Sequence, residues 1–261
     1  MVPTIVRISA LLIALGATTA QAQAICTGFG PQTPRDITSA GGTNERIWTL
    51  APAASQMNLC NIHTHTQAEH KGPGFSIFAG SADDGGYQCN ETADLTAEEL
   101  TDPTDGTGAM AGVKPGDTIE VHWVYSSCDV APGEGLGACL SEKCANPELR
   151  VEAQAFLLVN DPEAADFSDF AYDPDSAAGL HQPHALPVGG EPVVFAGSTT
   201  GPSFTQAACS PLQVTWSVRP TCQKLDIASL HRWAEANPFA EAKSHGVRQL
   251  VTAPELLSEI E

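Results

Sequence analysis

The chain has 261 residues, with 12 Lys and Arg residues against 31 Asp and Glu residues, and its net charge is −19 at pH 7. This excess of negative charge excludes nucleic acids and anionic membrane surfaces as favourable partners. After the first 24 residues, no segment approaches the roughly 20 apolar residues that a transmembrane helix needs, so membrane insertion is not expected.

The N-terminus has the features of a secretory signal peptide. Arg7 supplies a positive start, residues 8–16 are apolar, and small residues before Ala22 or Ala24 form a cleavage pattern. We expect residues 1–24 to be removed and the mature protein to be periplasmic or secreted.

Eight cysteines follow the leader, an even number that suits disulfide bonding in an oxidising compartment. Eight cysteines allow 105 pairings, so the sequence does not assign the partners. A zinc site made of cysteines is disfavoured because no CxxC motif is present. The cysteines are Cys26, Cys60, Cys89, Cys128, Cys139, Cys144, Cys209 and Cys222.

Short β-prone runs separated by Gly, Pro and Asp turns predict a mainly β chain with one domain over residues 25–261. In chain order, the predicted strands are Arg46–Leu50, Leu59–His65, Gly74–Phe78, Thr118–Tyr125, Leu149–Leu158, Pro192–Ala196 and Gln213–Val218. The predicted helices are Thr96–Leu100, Asp226–Glu235 with Asp226 as N-cap, and Pro254–Ile260.

Two of the predicted strands place histidines on a single face. Successive side chains of a strand alternate between faces, so His63 and His65 point together while Ile62 points the other way. On the second strand Glu120, His122 and Val124 share one side, opposite the apolar Ile119, Val121, Trp123 and Tyr125.

Three neutral imidazoles with a fourth position open to water are typical of a hydrolytic zinc site. Such an ion lowers the pKa of bound water to about 7 and makes hydroxide available. We therefore predict that His63, His65 and His122 bind Zn²⁺, with Co²⁺ or Cd²⁺ as possible substitutes. Glu120 or Glu69 is expected to accept the second N–H of a ligand imidazole.

The order of these and later motifs resembles that of the delta-class carbonic anhydrases and is also similar to that of the alpha class. The motifs are Cys60-Asn61-Ile62-His63-Thr64-His65, Ala68-Glu69-His70-Lys71, Glu120-Val121-His122-Trp123-Val124, Gly197-Ser198-Thr199-Thr200-Gly201-Pro202, Val214-Thr215-Trp216-Ser217-Val218-Arg219-Pro220 and Ser244-His245-Gly246-Val247-Arg248.

The resemblance implies a large, mostly antiparallel twisted sheet with a few short peripheral helices, as in alpha-class carbonic anhydrases. It also implies reversible hydration of carbon dioxide to bicarbonate and a proton, through hydroxide on zinc held by the three histidines. Thr199 would accept a hydrogen bond from that hydroxide, Glu69 would orient the Thr199 hydroxyl, and Glu120 would support the ligands.

By the same resemblance, Val121, Thr200 and Trp216 would line the carbon dioxide pocket. A proton shuttle is harder to assign, because His63 is the first histidine in the chain. His70 is a candidate by nearness in sequence, since any exposed imidazole titrates near pH 6.5. We interpret His181, His184, His231 and His245 as surface or structural residues.

Two alternatives stay open at this point. A cupin would use Glu69 as a fourth ligand beside the three histidines, but it leaves the Thr-Thr-x-Pro and Val-Thr-Trp motifs unexplained. A non-catalytic periplasmic zinc-binding protein would keep the histidines and need neither Thr199 nor an apolar pocket. The sequence does not indicate an oligomeric state.

Overall fold

The computed structural model describes residues 26, 28–80, 85–144, 146–176, 179–199, 207–247 and 251–260. The predicted signal peptide, residues 1–24, and Thr200 lie outside these described residues. Among the described residues, the longest helix has nine residues, and none has the length and apolarity of a membrane span.

The predicted mainly β character is confirmed. The strands are β1 Asn58–Thr66, β2 Ile77–Ala79, β3 Gly86–Gln88, β4 Thr118–Ser126, β5 Leu149–Val159, β6 Tyr172–Asp173, β7 Gln182–Pro183, β8 Val193–Ser198, β9 Gln213–Val218, β10 Gln223–Asp226 and β11 His245–Gly246. The α-helix is α1, Ile227–Glu235, and 3-10 turns lie at Ala54–Gln56, Asn90–Asp94, Leu136–Cys139, Phe167–Phe170 and Pro254–Leu256.

Seven strands form one sheet in the order β11-β1-β4-β5-β9-β8, with β10 also pairing β5. The sheet is mixed, which corrects the expectation of a mostly antiparallel one. β1, β4 and β5 pair antiparallel, as do β8 and β9, whereas β9 and β10 run parallel to β5 and β11 runs parallel to β1. Long connections between these partners permit the parallel pairings.

Asp226 is the N-cap of α1, as predicted: its carboxylate accepts hydrogen bonds from the backbone N–H groups of Ala228, at 3.3 Å, and Ser229, at 3.0 Å. The helix buries Leu230 and Trp233 against the sheet. The cap fixes the start of the helix, and the buried side chains hold it against the sheet.

Three local predictions are wrong. Residues 46–50 are exposed and pair with no strand among the described residues, because their apolar side chains face outward. Residues 96–100 form turns rather than a helix, and the Glu99 carboxylate stabilises these turns by accepting hydrogen bonds from the backbone N–H and the hydroxyl of Thr96. Only Pro254–Leu256 of the C-terminal helix forms, as a 3-10 turn.

The two faces of β4 lead to different environments. Ile119, Val121 and Trp123 are fully buried in the core beneath α1. Glu120 and His122 point to the opposite face, where β1, β5 and β9 supply neighbouring side chains. The alternation along this strand therefore separates the main core from the histidine-bearing face.

The expected disulfide bonding is confirmed, and the cysteines pair as Cys26–Cys209, Cys60–Cys139, Cys89–Cys222 and Cys128–Cys144. Cys60 immediately precedes the histidine motif on β1, and Cys139 ends the 3-10 turn that begins at Leu136. Four disulfides suit an oxidising environment.

Candidate metal centre

The three histidines predicted to bind a metal converge on one point of the sheet. Strands β1 and β4 pair with His63 directly opposite His122 and with His65 opposite Glu120. One ring nitrogen from each histidine lies within 4.8 Å of those of the other two. The sequence places them on one face, and the register brings them together.

The donor set fits a divalent metal ion. The Nδ1 atom of His122 lies 3.3 Å from the Nε2 atom of His63, and two nitrogens bound to one tetrahedral zinc at about 2.0–2.1 Å lie about that far apart. Burial lowers the pKa of His63 well below 6.5 and lowers the pKa of His65 to about 4. Both rings are therefore neutral at pH 7, as ligands must be.

A neighbouring side chain that the sequence analysis missed orients His63. The Oδ1 atom of Asn61 lies 2.7 Å from the Nδ1 atom of His63, and the Asn61 amide donates to the Gly133 carbonyl at 3.0 Å. The His63 Nδ1–H donates to this oxygen, which leaves Nε2 bare towards the centre. Asn61 precedes His63 by two residues, so the alternation that identified the histidines also identifies it.

Glu120 holds His122 and His70 together. Its Oε1 atom lies 2.9 Å from the Nε2 atom of His122 and 2.6 Å from the Nδ1 atom of His70. Burial alone would raise the pKa of Glu120, but the adjacent His70 and His122 keep the pKa well below its usual value. The carboxylate is thus charged and accepts both ring N–H groups.

His70 does not fit the proton-shuttle role suggested by its position in the sequence. Its side chain is fully buried, its backbone N–H also donates to Glu120, and its ring packs 4.8 Å from that of Trp216. A shuttle must reach solvent, which His70 does not. His70, Glu120 and His122 also form a compact group, but the first two do not line the cavity.

Glu69 reaches the centre because the chain bends after β1. Gln67 adopts a left-handed conformation with φ of 69°, and the following Ala68 exchanges backbone hydrogen bonds with Tyr87. This bend returns Glu69 to the histidines, with its Oε2 atom 3.6 Å from the Nε2 atom of His65.

Arg35, which the sequence analysis did not identify, forms a buried ion pair with Glu69. Burial would raise the pKa of Glu69, but the Arg35 guanidinium holds that pKa well below its usual range. The carboxylate is therefore charged and paired with a cation, and in the described part of the chain Glu69 is not among the residues whose donor atoms converge with those of the three histidines. Arg35 and Glu69 are 34 residues apart, and no local pattern connects them.

The expected hydrogen bond from Thr199 to Glu69 is not formed. The Thr199 Oγ1 atom is buried and has no hydrogen-bond partner in the described part of the chain. Thr199 nevertheless lines the same cavity as the three histidines. Its hydroxyl is available to a molecule bound there. Thr200, the next predicted pocket residue, is outside the described residues.

The cavity has a volume of about 440 Å³ and an apolar floor. Val124 of β4 lies opposite Val151 of β5, which in turn lies beside Trp216 of β9, so one row of side chains crosses three strands. The Trp216 ring packs 5.1 Å from that of His122. The floor therefore touches the metal centre.

Val121 does not line this cavity, contrary to the prediction. It alternates with His122 on β4 and is fully buried in the opposite core. Val124, two residues after His122, occupies the predicted position instead. Trp216, also predicted to line a pocket, lines this cavity.

The cavity lining also includes four polar residues. Glu134, Lys243 and His245 are exposed, whereas Glu241 is buried. His245 is half exposed, and its ring lies 6.4 Å from that of His65. His245 is therefore a surface residue, as expected from the sequence, but it also lines the cavity, which its sequence context does not indicate.

No curated protein matches the sequence significantly. A solved structure of Photobacterium profundum alpha-carbonic anhydrase aligns with 88% of this chain and 90% of its own, with 19% sequence identity and a TM-score of 0.30.

A family model gives the stronger result. The model described as delta carbonic anhydrase matches residues 54–229, which is more than half of the chain. The matched range contains β1 and β4, the strands that carry the three converging histidines. The chain therefore belongs to the delta carbonic anhydrase family and is a carbonic anhydrase.

Proposed function

We propose that the protein is a zinc enzyme that hydrates carbon dioxide reversibly to bicarbonate and a proton at His63, His65 and His122. The observation that carries this proposal is the convergence of three imidazoles, all within the matched family region, in one cavity. The donor set of three nitrogens suits zinc, and cobalt or cadmium is expected to replace it.

The three imidazoles would hold the metal ion, which when bound would supply the Lewis acidity that makes water nucleophilic at neutral pH. Asn61 accepts the Nδ1–H of His63, which leaves the His63 Nε2 atom unprotonated. Glu120 accepts the Nε2–H of His122, which leaves the His122 Nδ1 atom unprotonated. Loss of either acceptor lets the ring rotate or change tautomer.

The apolar floor favours carbon dioxide, which is small and uncharged. Val124, Val151 and Trp216 present carbon surfaces beside His122. Removing such surface from contact with water stabilises an apolar substrate there. Bicarbonate, being charged, is less well accommodated by the same floor and leaves.

Thr199 and Glu69 are proposed to orient the reacting groups. The buried Thr199 hydroxyl has an unused donor and an unused acceptor, so it can hold a substrate oxygen in one orientation. Glu69, kept charged by Arg35, lies beside His65 and contributes a fixed negative charge. Glu120 acts on the reaction only through the imidazoles that it holds.

We also propose that residues 25–261 form one exported domain after cleavage of residues 1–24. Four disulfides support an oxidising compartment, either the periplasm or the outside of the cell. Mass spectrometry of the N-terminus of the secreted protein tests the cleavage site.

The decisive test combines activity with metal analysis of the same sample. We expect carbon dioxide hydration, measured by stopped flow, to disappear after chelation and to return with one equivalent of Zn²⁺. A protein with one bound zinc and no hydration activity would contradict the proposal and would favour a zinc-binding role.

X-ray absorption of the zinc-loaded protein tests the ligand set. Three nitrogen ligands plus one oxygen from solvent are expected. A cupin-type centre would add Glu69 and approach octahedral coordination, but Glu69 is paired with Arg35. A six-coordinate spectrum would therefore overturn both the ligand assignment and the role given to Arg35.

A further inference from the structure

One wall of the cavity comes from a segment beyond the matched family region, which ends at residue 229. We call residues 237–245, between α1 and β11, the strap. Its side chains and backbone line the cavity at Phe239, Ala240, Glu241, Ala242, Lys243 and His245.

The Glu241 carboxylate binds the ligand strand itself. Its Oε1 atom accepts hydrogen bonds from the Thr64 backbone N–H at 2.8 Å and from the Thr64 hydroxyl at 2.9 Å. Thr64 is fully buried and lies between His63 and His65. The other carboxylate oxygen of Glu241, Oε2, lies 3.7 Å from the Nε2 atom of His245.

The Thr64 N–H bonds to Glu241 at a position where β1 has a strand neighbour on one side only. Thr64 pairs with Val121 of β4, but on the other side of β1 the described residues show β11 pairing only with His65 and Thr66. Glu241 therefore takes the place of a neighbouring strand at Thr64, satisfying a buried N–H that no strand reaches.

The strap is shaped by its own contacts, so it can act as a support. The Asn237 side chain accepts from the backbone N–H groups of Phe239, at 3.1 Å, and Glu241, at 3.0 Å, and donates to the Glu241 carbonyl at 2.9 Å. Ala240 adopts a left-handed conformation with φ of 54°. These restraints hold the backbone of Glu241 in the position from which its side chain reaches Thr64 of β1.

We propose that Glu241 is a positioning residue: by holding Thr64, it fixes the backbone from which His63 and His65 project and so sets the affinity of the metal centre. This inference rests on the proposed three-histidine site. Glu241 acts through the backbone of β1, and no ligand role is assigned to it. Its effect is thus that of an outer partner two steps removed from the ion.

The test compares metal binding in three variants. Glu241→Leu removes the acceptor at similar volume, and Glu241→Gln keeps an acceptor oxygen. Leu230→Ala is the control, because Leu230 is fully buried in α1 away from the site. Each is titrated with Co²⁺ against a chelator, and the visible spectrum of the bound cobalt is recorded.

We expect Glu241→Leu to weaken cobalt binding by about 10-fold or more, the range seen for outer partners of metal ligands, and to shift the cobalt spectrum. Glu241→Gln is expected to restore most of both. Leu230→Ala should lower the unfolding temperature while keeping the wild-type affinity and spectrum. A wild-type affinity and spectrum in Glu241→Leu would overturn the proposal.

Hydrogen exchange in the metal-free protein separates this inference from the proposed function. Glu241→Leu should speed exchange of the Thr64 amide, and unchanged exchange would overturn the inference even if metal binds. If the wild-type protein binds no cobalt through the histidines, the proposed site itself is wrong.

A second variant serves if Glu241→Leu does not fold. Thr64→Val deletes one of the two hydrogen bonds between Thr64 and Glu241 at nearly constant volume. Its affinity must then lie below that of the wild type, and equal affinity would contradict the proposal.

Discussion

His63 and His122 stand directly opposite each other on antiparallel strands, with the His122 Nδ1 atom 3.3 Å from the His63 Nε2 atom. Neither nitrogen needs to move far to share one ion. The positions of the three histidines are therefore set by strand register, whereas Glu69, Thr199 and one wall of the cavity come from segments outside the strands.

The first prediction concerns His122. We expect His122→Ala to lose bound zinc on dialysis and to show no hydration above the uncatalysed rate, because two imidazoles do not complete the donor set. His184→Ala is the control, since His184 is half exposed and contacts Asp173 rather than the centre. Metal analysis and stopped flow check both. Retention of one zinc by His122→Ala would show that the ion binds elsewhere.

The second prediction concerns Asn61. Asn61→Ala removes the acceptor of the His63 N–H, so we expect zinc affinity to fall by about 10- to 100-fold. Asn58→Ala on the same strand is the matched control, because the Asn58 amide donates to the Cys128 carbonyl, away from the centre. Chelator competition measures both. Equal affinities in the two variants would remove Asn61 from the site.

Strand alternation predicted most of the inner site. It placed His63, His65 and His122 on shared faces, and the same rule applies two residues away to Asn61 and Val124. The assignment of Val121 to the pocket went against that rule, since odd and even positions of β4 face opposite sides. The error therefore lay in how the resemblance was carried over.

Other parts of the site depend on distant packing and leave no local signal. Arg35 meets Glu69 because the chain bends at Gln67, and Glu241 meets Thr64 across 177 residues of chain. The burial of His70 depends on Trp216 from β9. The parallel pairings of β5 likewise depend on long connections, whose course a period-two pattern does not determine.

The third prediction uses the two valines of β4. Val124→Tyr fills the floor beside His122, so we expect kcat/KM for hydration to fall on the order of tenfold or more through displaced substrate. Val121→Ala should instead cost about 2 kcal/mol of stability through lost burial and leave kcat/KM unchanged at 25 °C. Denaturant unfolding and stopped flow distinguish the two. A fall in kcat/KM for Val121→Ala, with kcat/KM unchanged for Val124→Tyr, would show that Val121 rather than Val124 lines the pocket.

The fourth prediction concerns the pH dependence of the metal-free protein. Burial lowers the pKa of His65 to about 4, whereas its usual value is 6.5. Between these values the unfolded chain binds more protons, so the free energy of unfolding falls as the pH drops through that window. His65 alone should account for about 2 kcal/mol between pH 7 and pH 5.

Urea unfolding at pH 7 and at pH 5 measures this loss in the free energy of unfolding, and the loss should be smaller in the His65→Gln variant. Glu69, whose pKa is lowered, loses most of its contribution below pH 5 and adds little between the two pH values, whereas His63, whose pKa is also lowered by burial, adds to the loss. A free energy of unfolding that is equal at pH 7 and pH 5 would show that the metal-free histidines are not held in their neutral form.

The last prediction concerns the disulfide nearest the site. Cys60 precedes Asn61, and its partner Cys139 ends the turn that begins with Leu136, a cavity residue. Replacing both cysteines with serine opens a loop closed across 79 residues, which should cost about 4 kcal/mol of stability.

Because the same bond ties the Leu136 wall to β1, we also expect weaker zinc binding and lower kcat/KM in Cys60→Ser/Cys139→Ser protein assayed well below its unfolding temperature. Cys26→Ser/Cys209→Ser is the matched control, since it opens a longer loop, across 183 residues, whose cysteines pack in a separate cluster. It should lose at least as much stability and keep its zinc affinity. If both double variants lose zinc affinity equally, general destabilisation explains the effect, and the Cys60–Cys139 bond has no special connection to the metal centre.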